Sequence, residues 1–99
     1  MKLEILELAS LEIDDGHEYY NLQQEKLGDS FKNDVQLAID NIAVSPKLYP
    51  LIETDLRRCV LHRFPYTIFY TIEDDTILIL SVAHQRREPY YWIDDSLKS

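Results

Sequence analysis

The chain has 99 residues, with ten basic side chains against eighteen acidic ones and a formal net charge of −8. That length leaves room for a single core, so residues 1–99 form one domain, and 45% apolar content with two glycines and four prolines excludes a disordered tail. Lone Cys59 cannot close an internal disulfide, the N-terminus lacks the pattern of a signal peptide, and the longest apolar-rich run, Thr76 to Ala83, is far short of the ~20 residues a spanning helix needs.

A soluble, cytoplasmic protein without a membrane partner is therefore expected. The charge divides unevenly. Residues 1–50 hold four lysines against ten acids, a net −6, while residues 51–99 hold six bases against eight acids, a net −2. All five arginines lie in the second half: Arg57, Arg58, Arg63, Arg86 and Arg87. An acidic total disfavours a nucleic-acid binder, which usually presents a basic face to phosphate. A local basic patch stays compatible with it, because exposed charges are screened beyond ~8–10 Å.

Lys2 to Leu8 reads as a first strand, with Leu3 and Ile5 in phase and Leu6 and Leu8 out of phase. Ser10 can cap a helix whose first turn carries Glu12, Asp14 and Asp15. That helix runs to about Lys26, with Ile13, Gly16 and Tyr20 along one stripe. Gly16 costs ~1 kcal/mol there relative to alanine, which a close helix contact would explain. Gly28 should end this helix, and Asp29 or Ser30 should cap the next. In the second helix Phe31, Val35, Ala38, Ile39 and Ile42 recur at helical spacing, and Pro46 stops it. After a connector with Leu48 and Tyr49, three β segments follow: Arg57 to Phe64, Tyr66 to Ile72, and Thr76 to His84. Glu73-Asp74-Asp75 turns the last pair into a hairpin. Pro89, Tyr90, Tyr91 and Trp92 open a short tail. The order predicts an α+β, two-layer domain: an N-terminal strand and a helical hairpin, then an antiparallel strand meander with one sheet face open.

Three stretches carry a family resemblance: EYYN followed by LGDSF, the strand pair RRCVLHRFPYTIFYTI, and VAHQRREPYYW. Together they resemble the RelE/ParE superfamily of toxins, in the branch of plasmid stabilisation proteins, over nearly the whole chain. The resemblance implies a RelE-like fold and a cytoplasmic toxin of a type II toxin–antitoxin system, held inactive by a small antitoxin encoded nearby. RelE-like members cut messenger RNA in the ribosomal A site, whereas ParE-like members poison DNA gyrase. Fold alone does not choose between them.

Cleavage of the RelE type needs cations around the reacting phosphate and a group that moves protons. The resemblance puts the nuclease arginines at the positions of Thr67 and Gln85, and the nuclease tyrosine at Tyr91. Thr and Gln carry no charge, which argues against a direct copy of that mechanism. His84, Arg87 and Tyr91 are the candidates for a rearranged, metal-independent site, His being suited to proton transfer near neutral pH. Each has a plain structural alternative; a histidine at a strand end is commonly a hydrogen-bonding group. Arg57, Arg58, Arg63, Arg86 and Arg87, with Tyr90 and Trp92, are the candidates for contact with target or antitoxin. Arg58 and Arg63 have the alternative of pairing with acids such as Glu53, Asp55 or Glu88, and Trp92 that of pinning the tail. The arginines are expected to gather in space. Three histidines and one cysteine are too scattered to bind zinc, and no cofactor is expected. Three readings remain open: a ParE-like toxin that acts by binding, a RelE-like ribosome-dependent endoribonuclease, and a degenerate module that only binds a partner.

Overall fold

The computed structural model describes residues 1–87. Its order is β1 (Lys2–Ile5), α1 (Glu7–Gln23), α2 (Leu27–Val44), β2 (Leu56–Val60), β3 (Tyr66–Glu73) and β4 (Thr76–His84). The strands form one sheet in the order β1-β4-β3-β2. The last three strands are the expected antiparallel meander. β1 joins it at the far edge, parallel to β4, with Leu3 opposite Ile77 and Ile5 opposite Ile79. A parallel neighbour needs a crossover, and the helical hairpin together with the β2–β3 pair supplies it. The two helices cover one sheet face, and among the described residues no helix or strand lies over the other.

Alternation along β3 puts Tyr66, Ile68 and Tyr70 under the helices, where they meet Ile77, Ile79 and Val82 of β4 and Cys59 of β2. From above, α2 contributes Phe31, Val35, Ile39 and Ile42, all buried, and α1 contributes Ala9 and Tyr20. Ile39 is 4% exposed. Ile39→Ala should therefore lower stability by ~2–4 kcal/mol in urea titration, and a loss below about 0.5 kcal/mol would place Ile39 on the wrong face.

Local signals near the helix ends were less reliable than the periodicity. β1 stops at Ile5 and α1 begins at Glu7, so Leu8 and Ser10 are already helical. Leu6 stands at the cap position with no side-chain cap, and the Ser10 N–H donates to the Leu6 carbonyl at 3.0 Å. Tertiary pairing decides this boundary, since the Leu6 N–H is itself held by Ile79 of β4. Likewise Gly28 does not end α1, nor do Asp29 or Ser30 cap α2, which begins one residue before Gly28. The reversal between the helices falls instead on Lys26, at φ 67°.

Both glycines serve the crossing of the two helices. A Cβ on Gly16 would meet the Phe31 ring at 2.6 Å, and one on Gly28 would overlap the His17 carbonyl oxygen. Asn21 Oδ1 accepts the Gly28 N–H at 2.7 Å, and His17 Nε2 lies 2.8 Å from Asp29 Oδ1. The other left-handed residue, Asp74 at φ 56°, makes the β3–β4 turn. That turn has two residues rather than three, because Glu73 pairs with Thr76. β2 is also shorter than expected, ending at Val60; 61–65 form the loop into β3, anchored by buried Leu61 and Phe64.

Candidate functional site

A register shift between Phe69 and Tyr70 of β3 leaves an extra residue on β4. Phe69 faces Ser81 but Tyr70 faces Ile79, with Leu80 between. Such a bulge interrupts the ladder and turns backbone polar groups toward other partners. Here the partner is Glu12 of α1, whose Oε1 accepts from the Ser81 hydroxyl at 2.7 Å and from the Val82 N–H at 3.0 Å. The contact spans from the first helix to the last strand and fixes α1 over the end of β4.

Beside it lies a pocket of about 210 Å³, lined by Glu12, Asp15, Gly16, Tyr19, Tyr66, Val82, His84 and Arg87. His84 and Arg87, both singled out from the sequence, share it. The His84 ring packs edge-on to Tyr66 with centroids 5.1 Å apart, and its Nδ1 accepts the Arg86 N–H at 3.0 Å. A backbone N–H can only donate, so this bond leaves the imidazole proton on Nε2. Burial, with Tyr20, Tyr19 and Glu12 adding to it, pushes the Tyr66 phenol up to about 12, so it stays neutral and is no base at ordinary pH. Glu12 and Asp15 were not singled out as site residues. Nothing in their spacing shows that α1 lies over the end of β4.

The arginines do not gather. Arg57 and Arg58 are successive residues of β2 and point to opposite sheet faces. The Arg57 guanidinium donates to the carbonyls of Lys47 and Tyr49, at 3.0 and 2.6 Å, and so holds the α2–β2 connector. Tyr70 adds a bond from its hydroxyl to the Pro46 carbonyl at 2.6 Å; burial pushes this phenol also up to about 12, against an opposing pull from Arg57. Arg63 pairs with Asp34 of α2 at 3.5 Å and lies over the Phe64 ring at 5.9 Å. Asp34, not Glu53 or Asp55, is its partner. Arg58 and Arg86 are exposed, and among the described residues their side chains have no partner. Tyr90, Tyr91, Trp92 and Glu88 lie outside the described residues.

Thr67 and Gln85 complete the picture. Thr67, 8% exposed, sits on the sheet face away from the helices, beside Ala83. Gln85 is exposed in the turn after β4, where its N–H donates to the Pro65 carbonyl at 2.8 Å. Cys59 is buried next to Tyr49, and burial pushes its thiol up, away from the thiolate a nucleophile needs. Among the described residues no group of His, Cys, Asp or Glu is arranged to hold a metal, and no helix is long and apolar enough to cross a membrane.

The fold is similar to that of a chain in the chromosomal ParDE TA system from P. aeruginosa, with a TM-score of 0.65 and 17% identity, covering 85% of this chain and 95% of that one. It is equally similar to the isolated E. coli RelE toxin, with a TM-score of 0.66 and 19% identity, covering 96% and 95%. At such identities the likeness is one of fold. Comparison with curated protein sequences finds no match. The family model for the ParE toxin of the type II toxin–antitoxin system, parDE, matches residues 3–89, and with nearly the whole chain covered, the protein belongs to that family.

Proposed function

We propose that this chain is a toxin that acts by binding a cellular target, DNA gyrase in the cytoplasm, without cleaving nucleic acid, and that a small antitoxin encoded nearby neutralises it. One observation carries the binding-only reading. The two positions where RelE-type nucleases are expected to hold arginines carry a buried threonine, Thr67, and an uncharged glutamine, Gln85. Stabilising a phosphate that gains charge needs fixed cations near it. Of the three arginines that precede Thr67, Arg57 and Arg63 are engaged with the connector carbonyls and with Asp34, which leaves Arg58 on the Thr67 face of the sheet. Arg58 and Arg86 are exposed arginines whose side chains have no partner among the described residues, and with Tyr90 and Trp92 they are the candidates for contact with a partner.

A second reading is favoured by the pocket under α1. His84 and Arg87 line it together with a carboxylate, Glu12, the combination that metal-independent RNA cleavage uses to move a proton and steady a phosphate. Against it, Glu12 is already occupied by Ser81 and Val82, and Asp15 adds a second negative charge that repels phosphate.

Expression of the chain with and without the adjacent small gene tests the first reading. Growth arrest relieved by that gene, with altered plasmid supercoiling and intact messenger RNA, is the expected result. Purified protein is further expected to leave naked RNA uncut. Metal-free cleavage that disappears in His84→Ala would transfer the function to the second reading.

A further inference from the structure

β1 forms one edge of the sheet. The Lys2 N–H donates to the Asp75 carbonyl at 2.9 Å and the Leu6 N–H to the Ile79 carbonyl at 3.0 Å. By alternation the backbone groups of Lys2 and Glu4 point toward β4, and those of Leu3 and Ile5 point away from the sheet. Among the described residues no backbone group bonds to that outward row. Such an edge is a template for pairing with another chain.

The side chains divide with the same period. Leu3 and Ile5 stand opposite Ile77 and Ile79, on the face that the helices cover. Lys2 and Glu4 stand opposite Thr76 and Leu78, on the other face, exposed and without an ion pair among the described residues. On the helix side the apolar row is incompletely covered, with Ile5 39% and Met1 58% exposed. Ile5 also walls a groove of about 260 Å³ between α1 and α2, whose apolar lining is Ile13, Val35 and Ile39. The charged groups of that groove, Asp14 and Lys32, are 3.4 Å apart and satisfy each other.

The sequence of this edge is complementary to itself. Let two copies of β1 run antiparallel about a two-fold axis through Leu3. Leu3 of each copy then bonds to Leu3 of the other through both outward groups. Lys2 of each faces Glu4 of the other, and exposed Ile5 faces exposed Met1 on the helix side. Two opposite-charge pairs form at once, of the kind that stabilises directly opposed strand residues. Only residues with outward groups can make the bonded pairs, so the nearest alternative registers differ by two residues. One sets Lys2 against Lys2 and the other sets Glu4 against Glu4, like charges in both cases. Net charge opposes the contact, since each copy carries −8, but exposed charges are screened beyond ~8–10 Å and the local pairs decide. We infer that the occupant of this edge is a second copy of the chain, joined through β1 into a sheet of twice the strands. The axis stands perpendicular to the sheet, so both helical hairpins lie on one face and the two uncovered faces join on the other.

The test is sedimentation equilibrium of the intact chain, free of any N-terminal tag, and of two charge variants. So short an edge makes a small interface, and a dimer with a Kd of roughly 10–100 µM is expected. Lys2→Glu and Glu4→Lys each put like charges at both opposed pairs, and each alone should associate about tenfold or more weakly. Neither side chain has an ion-pair partner among the described residues, so melting should shift by no more than a few degrees. An equimolar mixture of the two variants should regain the affinity, because every opposed pair then joins unlike charges across the interface. In hydrogen exchange the Leu3 amide of the unsubstituted chain should gain protection as concentration rises. A chain that stays monomeric well above the expected Kd overturns the proposal. A dimer indifferent to both variants, with the Leu3 amide unprotected, places self-association elsewhere and overturns it too. So does a Leu3 amide that is protected only when the product of the adjacent gene is added, which would give the edge to that partner.

Discussion

Gly28→Ala is expected to destabilise the protein by about 3 kcal/mol or more, at the upper end of what one extra methyl group costs in a packed interior. The atom in the way is the His17 carbonyl oxygen of α1, with Asn21 Oδ1 close behind at 2.7 Å. A side-chain end can swing aside; a helical carbonyl moves only if the helix moves. The helices would have to separate, which would lengthen the Gly28 N–H bond to Asn21 and pull His17 from Asp29. Alanine's better helix propensity returns at most ~1 kcal/mol. Urea unfolding followed by circular dichroism measures the net change. A cost below about 1 kcal/mol would mean that the hairpin slides apart freely and that its crossing is not what holds α1 in place.

Phe31→Ala should cost ~3–5 kcal/mol, since the ring is fully buried. It is enclosed by three other rings, with centroids at 5.4 Å to Tyr20, 5.4 Å to Phe64 and 4.7 Å to Tyr66. The same enclosure makes Gly16 intolerant, because a Cβ there meets Phe31 Cε2 at 2.6 Å and the ring has nowhere to go. Gly16→Ala alone should therefore cost ~1–3 kcal/mol. Combined with Phe31→Leu, the penalty should fall short of the sum by ~1 kcal/mol or more, a coupling that only contacting residues show. Strict additivity in the double-mutant cycle would show that Gly16 is required for some other reason.

The packing faces of α2 and β3 were legible in the sequence because each follows from a single local period. Phe31, Val35, Ile39 and Ile42 repeat at helical spacing, and Tyr66, Ile68 and Tyr70 at strand spacing; each set is buried. The residue types at the candidate nuclease positions, Thr67 and Gln85, were also plain from the sequence, and uncharged side chains cannot act as cations in any fold. Tertiary structure decided what depends on distant segments meeting. The two glycines look like helix breakers until α1 and α2 cross, when the same missing Cβ becomes the condition of contact. Arg57 and Arg58 look like one basic patch until the strand's alternation sends them to opposite faces and the connector carbonyls claim the first. Glu12 looks like one more surface acid until the β4 bulge turns the Val82 N–H toward it, 70 residues away in the chain. The parallel pairing of β1 with β4 is of the same kind. A strand's own pattern shows which side chains face the core, but its partner and direction are set by how the hairpin between them packs.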